Sequence, residues 1–172
     1  MTTAVTESIV SINRITYRIY DVAGHRGMRH AWANYFEDAR AVIFVVAISS
    51  YDQCLAEDPT VNRMKDAMQL FAAVCNHPLF AETSVILLLN KIDIFRRKIK
   101  VKAIDEVFKD YKGGSDYTQA TSYFARIFVK LNKHPDKQIY THLTWATDTK
   151  QTKVVLAAVT DTVQRIALRM AG

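Results

Sequence analysis

Apolar and polar residues alternate at a period of two over Ile15-Thr16-Tyr17-Arg18-Ile19-Tyr20, and a similar run lies just before it, around Ser8 to Ile12. Successive side chains of a strand point to opposite faces, so the pattern predicts two half-buried strands joined as a hairpin near Asn13 and Arg14. Two later runs do not alternate: Ala41-Val42-Ile43-Phe44-Val45-Val46-Ala47 and Ser84-Val85-Ile86-Leu87-Leu88-Leu89. Strands buried on both faces look like this, as in a parallel sheet covered by helices. A further strand is predicted at Ile139 to Thr144. Between these segments the period changes to that of a helix. Thr60 to Val74 places Val61, Met64, Met68, Leu70, Phe71 and Val74 on one side, and Tyr117 to Leu131 and Val154 to Leu168 read similarly. Lys109 to Asp116, with Gly113-Gly114, reads as a loop. Strands alternating with helices of ten to fifteen residues imply an α/β fold with a largely parallel sheet.

Composition narrows this picture without redirecting it. The 172 residues match one domain in size, and 49% hydrophobic with 23% charged residues is an ordinary globular balance. The net charge of +6 invites a nucleic-acid or anionic-surface reading. The densest basic run, however, is only Arg96-Arg97-Lys98-Ile99-Lys100-Val101-Lys102, the kind of run a helix solvates on an exposed face. Basic charge alone supplies sequence-independent attraction, so no nucleic-acid partner is expected. A phosphate-rich small ligand or a membrane-facing surface fits the charge equally well. Cys54 and Cys75 both lie in apolar stretches and are expected as buried, reduced thiols. No Cys and His pair has zinc-like spacing. The chain opens Met-Thr-Thr, without a charged-then-apolar leader or a myristoylation signal, and no apolar run approaches the length of a membrane span.

In open α/β sheets ligands bind outside the carboxyl ends of the strands. Three such places carry informative residues. After Tyr20 comes Asp21-Val22-Ala23-Gly24-His25, where an Asp can hold magnesium through water and a glycine lets a backbone N–H approach a phosphate; a tight turn with a helix cap is the competing reading. After Leu89 comes Asn90-Lys91-Ile92-Asp93. A carboxylate there accepts two bonds from the guanine N1–H and exocyclic amino group, a donor pair that adenine lacks. The asparagine can bond the N7 edge and the lysine stem can cover the ring. A polar loop with an Asp N-cap is the plainer alternative. After Leu143 comes Thr144-Trp145-Ala146-Thr147-Asp148, where a small residue can offer its N–H to the guanine O6, or Thr147 or Asp148 can cap a helix.

With these motifs in order at successive strand ends, the stretch from Thr2 to Arg169 resembles the heterotrimeric G-protein alpha family. Tyr35-Phe36-Glu37, Ser49 through Leu55, Glu57-Asp58, Asn62-Arg63-Met64, Tyr140-Thr141-His142, Ala146-Thr147-Asp148-Thr149 and Ala158-Val159-Thr160-Asp161 carry the likeness. The resemblance implies a partial Ras-like P-loop GTPase fold, with a mostly parallel sheet and helices on both faces. It makes residues 1–172 the C-terminal part of that GTPase domain. It implies GTP/GDP and Mg2+ as cofactors, and GTP binding and hydrolysis in receptor signalling as the function. Thr2 would supply a magnesium-binding hydroxyl. Asp21 and Gly24 would contact magnesium through water and the γ-phosphate, and His25 stands where a glutamine orients the attacking water. Asn90, Lys91, Asp93 and Ala146 form the guanine-reading set. Arg26, Arg29 and Trp32, with Asp66 opposite Arg29, match the segment that meets a beta-gamma dimer. The last helix, to Leu168, matches the receptor-coupled element, and a downstream effector is a further partner. The implied location is the cytoplasm, at the inner face of the plasma membrane within a heterotrimer, with no membrane anchor in this stretch.

The sequence also departs from the family. None of its five glycines, Gly24, Gly27, Gly113, Gly114 and Gly172, builds the phosphate-wrapping motif G-x-x-x-x-G-K-[ST]. The inserted helical domain and the arginine before the first-switch threonine are likewise absent from these residues. His25 replaces the glutamine, Met28 a usual glutamate and Asp66 a longer glutamate, while Met170-Ala171-Gly172 lacks the family's terminal hydrophobic pair. Weak or no nucleotide binding by this stretch alone is therefore expected. The alternative function is a non-catalytic module that binds beta-gamma or an effector through Arg26 to Trp32. A strand missing from the sheet would also leave an exposed edge, an expectation of low stability in isolation.

Overall fold

A computed structural model of the chain describes residues 5–12, 14–22, 39–81, 83–145 and 149–171. Two compact units result, Met1–Ala39 and Arg40–Gly172. In the first, β1 (Thr6–Ile12) pairs antiparallel with β2 (Ile15–Asp21), from Thr6 opposite Asp21 to Ile12 opposite Ile15. That register leaves a two-residue connection, as the sequence suggested. Arg14 takes a left-handed φ of 65°, the sign that a tight hairpin turn demands; Asn13 lies outside the described residues. Ile9, Ile15 and Ile19 remain exposed rather than half-buried, because a two-stranded ribbon has no second layer of its own to cover them.

The second unit contains a three-stranded parallel sheet in the order β3-β4-β5, with β3 at Ala41–Ala47, β4 at Ser84–Asn90 and β5 at Ile139–Leu143. Around it run α1 (Arg63–Cys75), α2 (Ile92–Lys98), α3 (Tyr117–Lys130) and α4 (Thr149–Ala171), with short 3-10 turns at Ile48–Ser50, Pro78–Phe80 and Ile104–Glu106. The pleat sorts the strand residues. Val42, Phe44, Val46, Val85, Leu87, Leu89 and Ile139 join one core with α1, α2 and α3. That core is strongly aromatic. Phe124 is fully buried and meets Phe108 edge-on at 5.3 Å and Phe95 at 5.8 Å between ring centroids, and Phe71 bridges Phe44 and Phe128 at 5.1 and 5.3 Å.

The opposite face is covered unevenly. Ile86 of β4 is fully buried, but Ile43 and Val45 of β3 are 46% and 57% exposed. The expectation that β3 is buried on both faces is therefore corrected. β3 is an outer strand of the described sheet, and cover on this face thins toward it. Cys54 is a second correction: it is exposed, whereas Cys75 is buried as expected. Its apolar neighbourhood in sequence is an irregular loop closed by a single antiparallel bridge to Asn62, and a loop of that kind runs over the surface.

Helix ends differ from the hydrophobic pattern where caps intervene. α1 begins at Arg63 and not Thr60, because the Asn62 side chain accepts from the N–H groups of Met64 and Lys65 at 2.9 and 3.1 Å. Thr60 is instead turned back onto Asp58. α3 starts behind Asp116, whose carboxylate accepts from the Gln119 N–H at 2.7 Å. α4 begins five residues before the expected Val154, over the polar stretch Thr149 to Lys153, which has no apolar period to reveal it. Among the described residues no helix is long and apolar enough to cross a membrane.

Candidate functional site

Because β3, β4 and β5 are parallel, their carboxyl ends lie at one edge of the sheet, with Ala47 in register with Asn90 and Leu89 with Leu143. Two backbone hydrogen bonds knit the loops leaving that edge. The Thr144 N–H donates to the Leu89 carbonyl at 2.9 Å, and the Ile92 N–H donates to the Thr144 carbonyl at 3.3 Å. Asn90 to Asp93 and Thr144-Trp145 are thus held side by side, as the strand-end rule anticipates.

Asn90 is the last residue of β4, and its side-chain oxygen accepts from the Lys91 N–H at 2.7 Å. That bond leaves the amide nitrogen as the donor for an incoming acceptor, which suits the N7 edge of a purine. Lys91 is exposed and left-handed, at φ 61° and ψ 38°. A non-glycine residue in this region costs on the order of 1 kcal/mol and persists only where the surroundings over-determine it. The outlier turns the chain directly from β4 into α2, so that Asp93 falls in the first turn, half-buried, while Ile92 and Phe95 anchor the helix in the core. The Asp N-cap alternative is not what forms here: Lys91 occupies the cap position and gives no side-chain cap bond.

A second set of residues at the same edge was not legible as part of the site. Tyr51 follows the 3-10 turn after β3 and is fully buried. Its hydroxyl donates to the Lys102 carbonyl at 2.5 Å, and its ring meets Phe95 of α2 edge-on at 5.8 Å. Lys98, at the end of α2, donates to the Asp52 carboxylate and to the Ser49 carbonyl, the latter at 3.0 Å, with its ammonium 5.4 Å from the Tyr51 ring centroid. Burial first, and then the Asp52 and Glu106 carboxylates, push the Tyr51 hydroxyl well above the ordinary tyrosine value. The basic run is therefore not a uniformly solvated face. Lys98 is turned inward, Arg96 stacks over Tyr117 at 4.4 Å and Lys102 pairs with Glu106, whereas Arg97 and Lys100 are exposed.

The other anticipated residues divide by unit. Asp21 closes β2 and is exposed. Asp66 is buried in the first turn of α1. Thr2, Gly24, His25, Arg26, Arg29, Trp32 and Ala146 lie outside the described residues, as do the possible caps Thr147 and Asp148. Among the described residues no group of three or more His, Cys, Asp or Glu side chains could hold a metal. Magnesium bound through one or two protein oxygens, phosphates and water requires no such group.

A family profile described as the G-protein alpha subunit matches residues 1–163. The chain belongs to the G-protein alpha subunit family. It is 49% identical over 171 residues to the guanine nucleotide-binding protein subunit alpha of Colletotrichum trifolii, covering 99% of this chain and 48% of that protein. The alpha-1 subunit of Neurospora crassa gives the same figures, and that of Mycosarcoma maydis is 47% identical over the same shares. The chain spans about half the length of the curated relatives it matches. Within this alpha-subunit stretch, the parallel sheet and its helices agree with the partial GTPase fold that the resemblance implied.

Proposed function

We propose that this chain supplies the base-reading part of a guanine-nucleotide site in a G-protein alpha subunit. The observation that carries the reading is the end of β4: a left-handed Lys91 carries the chain from Asn90 straight into α2 with Asp93 in its first turn, and the loop leaving β5 is tied alongside by backbone hydrogen bonds. Asp93 would accept from N1–H and the exocyclic amino group, Asn90 would donate to N7, the Lys91 stem would lie on the ring and the Ala146 N–H would meet O6. In this reading the ligands are GTP and GDP. Mg2+ is reached through water by Asp21 and directly by Thr2, Gly24 contacts the γ-phosphate, and His25 positions the water for hydrolysis to GDP and phosphate. Residues 1–172 then form the C-terminal part of the GTPase domain. Arg26, Arg29 and Trp32 face a beta-gamma dimer, Asp66 belongs to that set as a buried residue of α1, and a receptor and an effector complete a signalling cycle at the inner membrane face.

These residues hold no phosphate-wrapping motif, and each charge-assisted hydrogen bond it would make contributes about 1.5–3 kcal/mol. Binding by this chain alone is accordingly weak. The test is titration with a fluorescent GTP analogue and magnesium, with Asp93→Asn alongside. Weak saturable binding that the substitution abolishes supports the reading; binding of equal strength in both chains removes Asp93 from it. A folded chain without binding would favour the module that binds beta-gamma or an effector.

A further inference from the structure

α2 has seven residues, too few to hold a helix or an orientation by itself, so its pitch is set by what it packs against. Its first turn carries Asp93, and that end is fixed by the strained Lys91 and the Ile92 bond to Thr144. Its other end is fixed by residues of the β3 loop. The Asp52 and Lys98 side chains are only 14% and 21% exposed, and the ammonium also reaches the Ser49 carbonyl. Beneath them Tyr51 is locked at three points. Its hydroxyl bonds to Lys102, its carbonyl accepts from the Asn62 amide at 2.8 Å, and its ring abuts Phe95. Phe95 and Ile99 also seat the helix in the core, and the Lys98 ion pair is the polar tie at its far end, so the short helix acts as a lever between Lys98 and Asp93.

We propose that Asp52 and Lys98 are positioning residues for base recognition, their ion pair over the Tyr51 ring holding α2 at the pitch that places Asp93 against a guanine. The inference rests on the guanine reading above and assigns to the pair no contact with the nucleotide. A part-buried ion pair costs stability when broken from one side, since the remaining charge is left without its partner. Asp52→Asn and Lys98→Met therefore release the lever, whereas Lys98→Arg keeps a cation within reach of Asp52.

Two readouts on the full chain separate positioning from general support. The first needs no nucleotide: amide hydrogen exchange at Ile92 and Phe95, whose N–H groups bond to Thr144 and Lys91, against Ile86 and Leu87 in β4. Exchange should quicken about tenfold at Ile92 and Phe95 in Asp52→Asn and Lys98→Met, with β4 unchanged and Lys98→Arg restoring the slow rates. The second is the affinity ratio of GDP to its hypoxanthine counterpart, which lacks the exocyclic amino group. It should fall toward one in the two releasing variants and persist in Lys98→Arg. Unchanged exchange at Ile92 and Phe95, or acceleration shared equally by β4, would overturn the clasp whatever the nucleotide result. The local exchange effect together with a native chain that does not distinguish the two bases would uphold the lever and overturn the guanine reading itself.

Discussion

Replacing Tyr51 by phenylalanine removes one oxygen from the centre of the second unit and leaves the ring contacts in place. The hydroxyl donates to the Lys102 carbonyl at 2.5 Å from a fully buried residue. A neutral hydrogen bond of this kind contributes about 1 kcal/mol net, and a partly covered carbonyl left without its donor adds a fraction of the ~1–3 kcal/mol desolvation cost. The expected loss at neutral pH is therefore about 1.5 kcal/mol. Its pH dependence is the sharper part. The hydroxyl is held protonated above the ordinary tyrosine value by burial, and then by Asp52 and Glu106, so its folded pKa is raised. Stability from such a group is fully present below the unfolded value, near pH 10, and is lost as pH climbs above it, at about 1.4 kcal/mol per pH unit. The phenylalanine chain has no such component. The gap between the two chains should stand at about 1.5 kcal/mol at pH 7 and close to about zero by pH 11. Tyr123, similarly raised by burial and its bond to Asp110, is common to both chains and cancels. Urea unfolding followed by helical circular dichroism at pH 7, 9, 10 and 11 measures the gap. A gap below about 0.5 kcal/mol at pH 7, or one that stays constant to pH 11, would mean that the buried Tyr51 hydroxyl does not stabilise the fold in this way.

Other consequences are simpler to check. Phe124→Ala empties the middle of the aromatic core and should cost about 3–5 kcal/mol in urea unfolding. Asn62→Ala removes the α1 cap and the amide bond to Tyr51 together, so a loss of about 1–2 kcal/mol is expected in the same assay, above that of an ordinary exposed cap. In the folded chain a thiol reagent should label Cys54 rapidly and spare Cys75, which is buried and whose thiol burial pushes upward; labelling of both at one rate would contradict the assigned exposures.

Much of this architecture was open to reading because its signals are local. The alternation of Ile15 to Tyr20 and the apolar run of Ser84 to Leu89 each report a strand, and the parallel direction of β3, β4 and β5 then follows from α/β logic, whereas their register is visible only in the structure. Asn90, Lys91 and Asp93 were legible since the strand-end rule says where chemistry sits. What stayed hidden depends on distant residues. Lys98 is one cation in a run of five, and only its meeting with Asp52, 46 positions earlier, distinguishes it from Lys100. The exposure of Ile43 and Val45 is a property of the whole sheet, which the composition of β3 does not contain. The short α2 escaped because seven residues show too little of a helical period, and its start is signalled by backbone geometry at Lys91 instead of a capping side chain.

Base reading at the ends of β4 and β5 is tested by an amide-resolved nuclear magnetic resonance titration of the chain with GDP and, separately, ADP, each with magnesium, at concentrations that reveal weak binding. Saturable shifts are expected at Asn90, Lys91, Ile92 and Asp93 with GDP, absent with ADP and lost in Asp93→Asn. Equal shifts with both nucleotides, or GDP shifts confined to residues away from the ends of β4 and β5, would contradict base reading at this edge of the sheet.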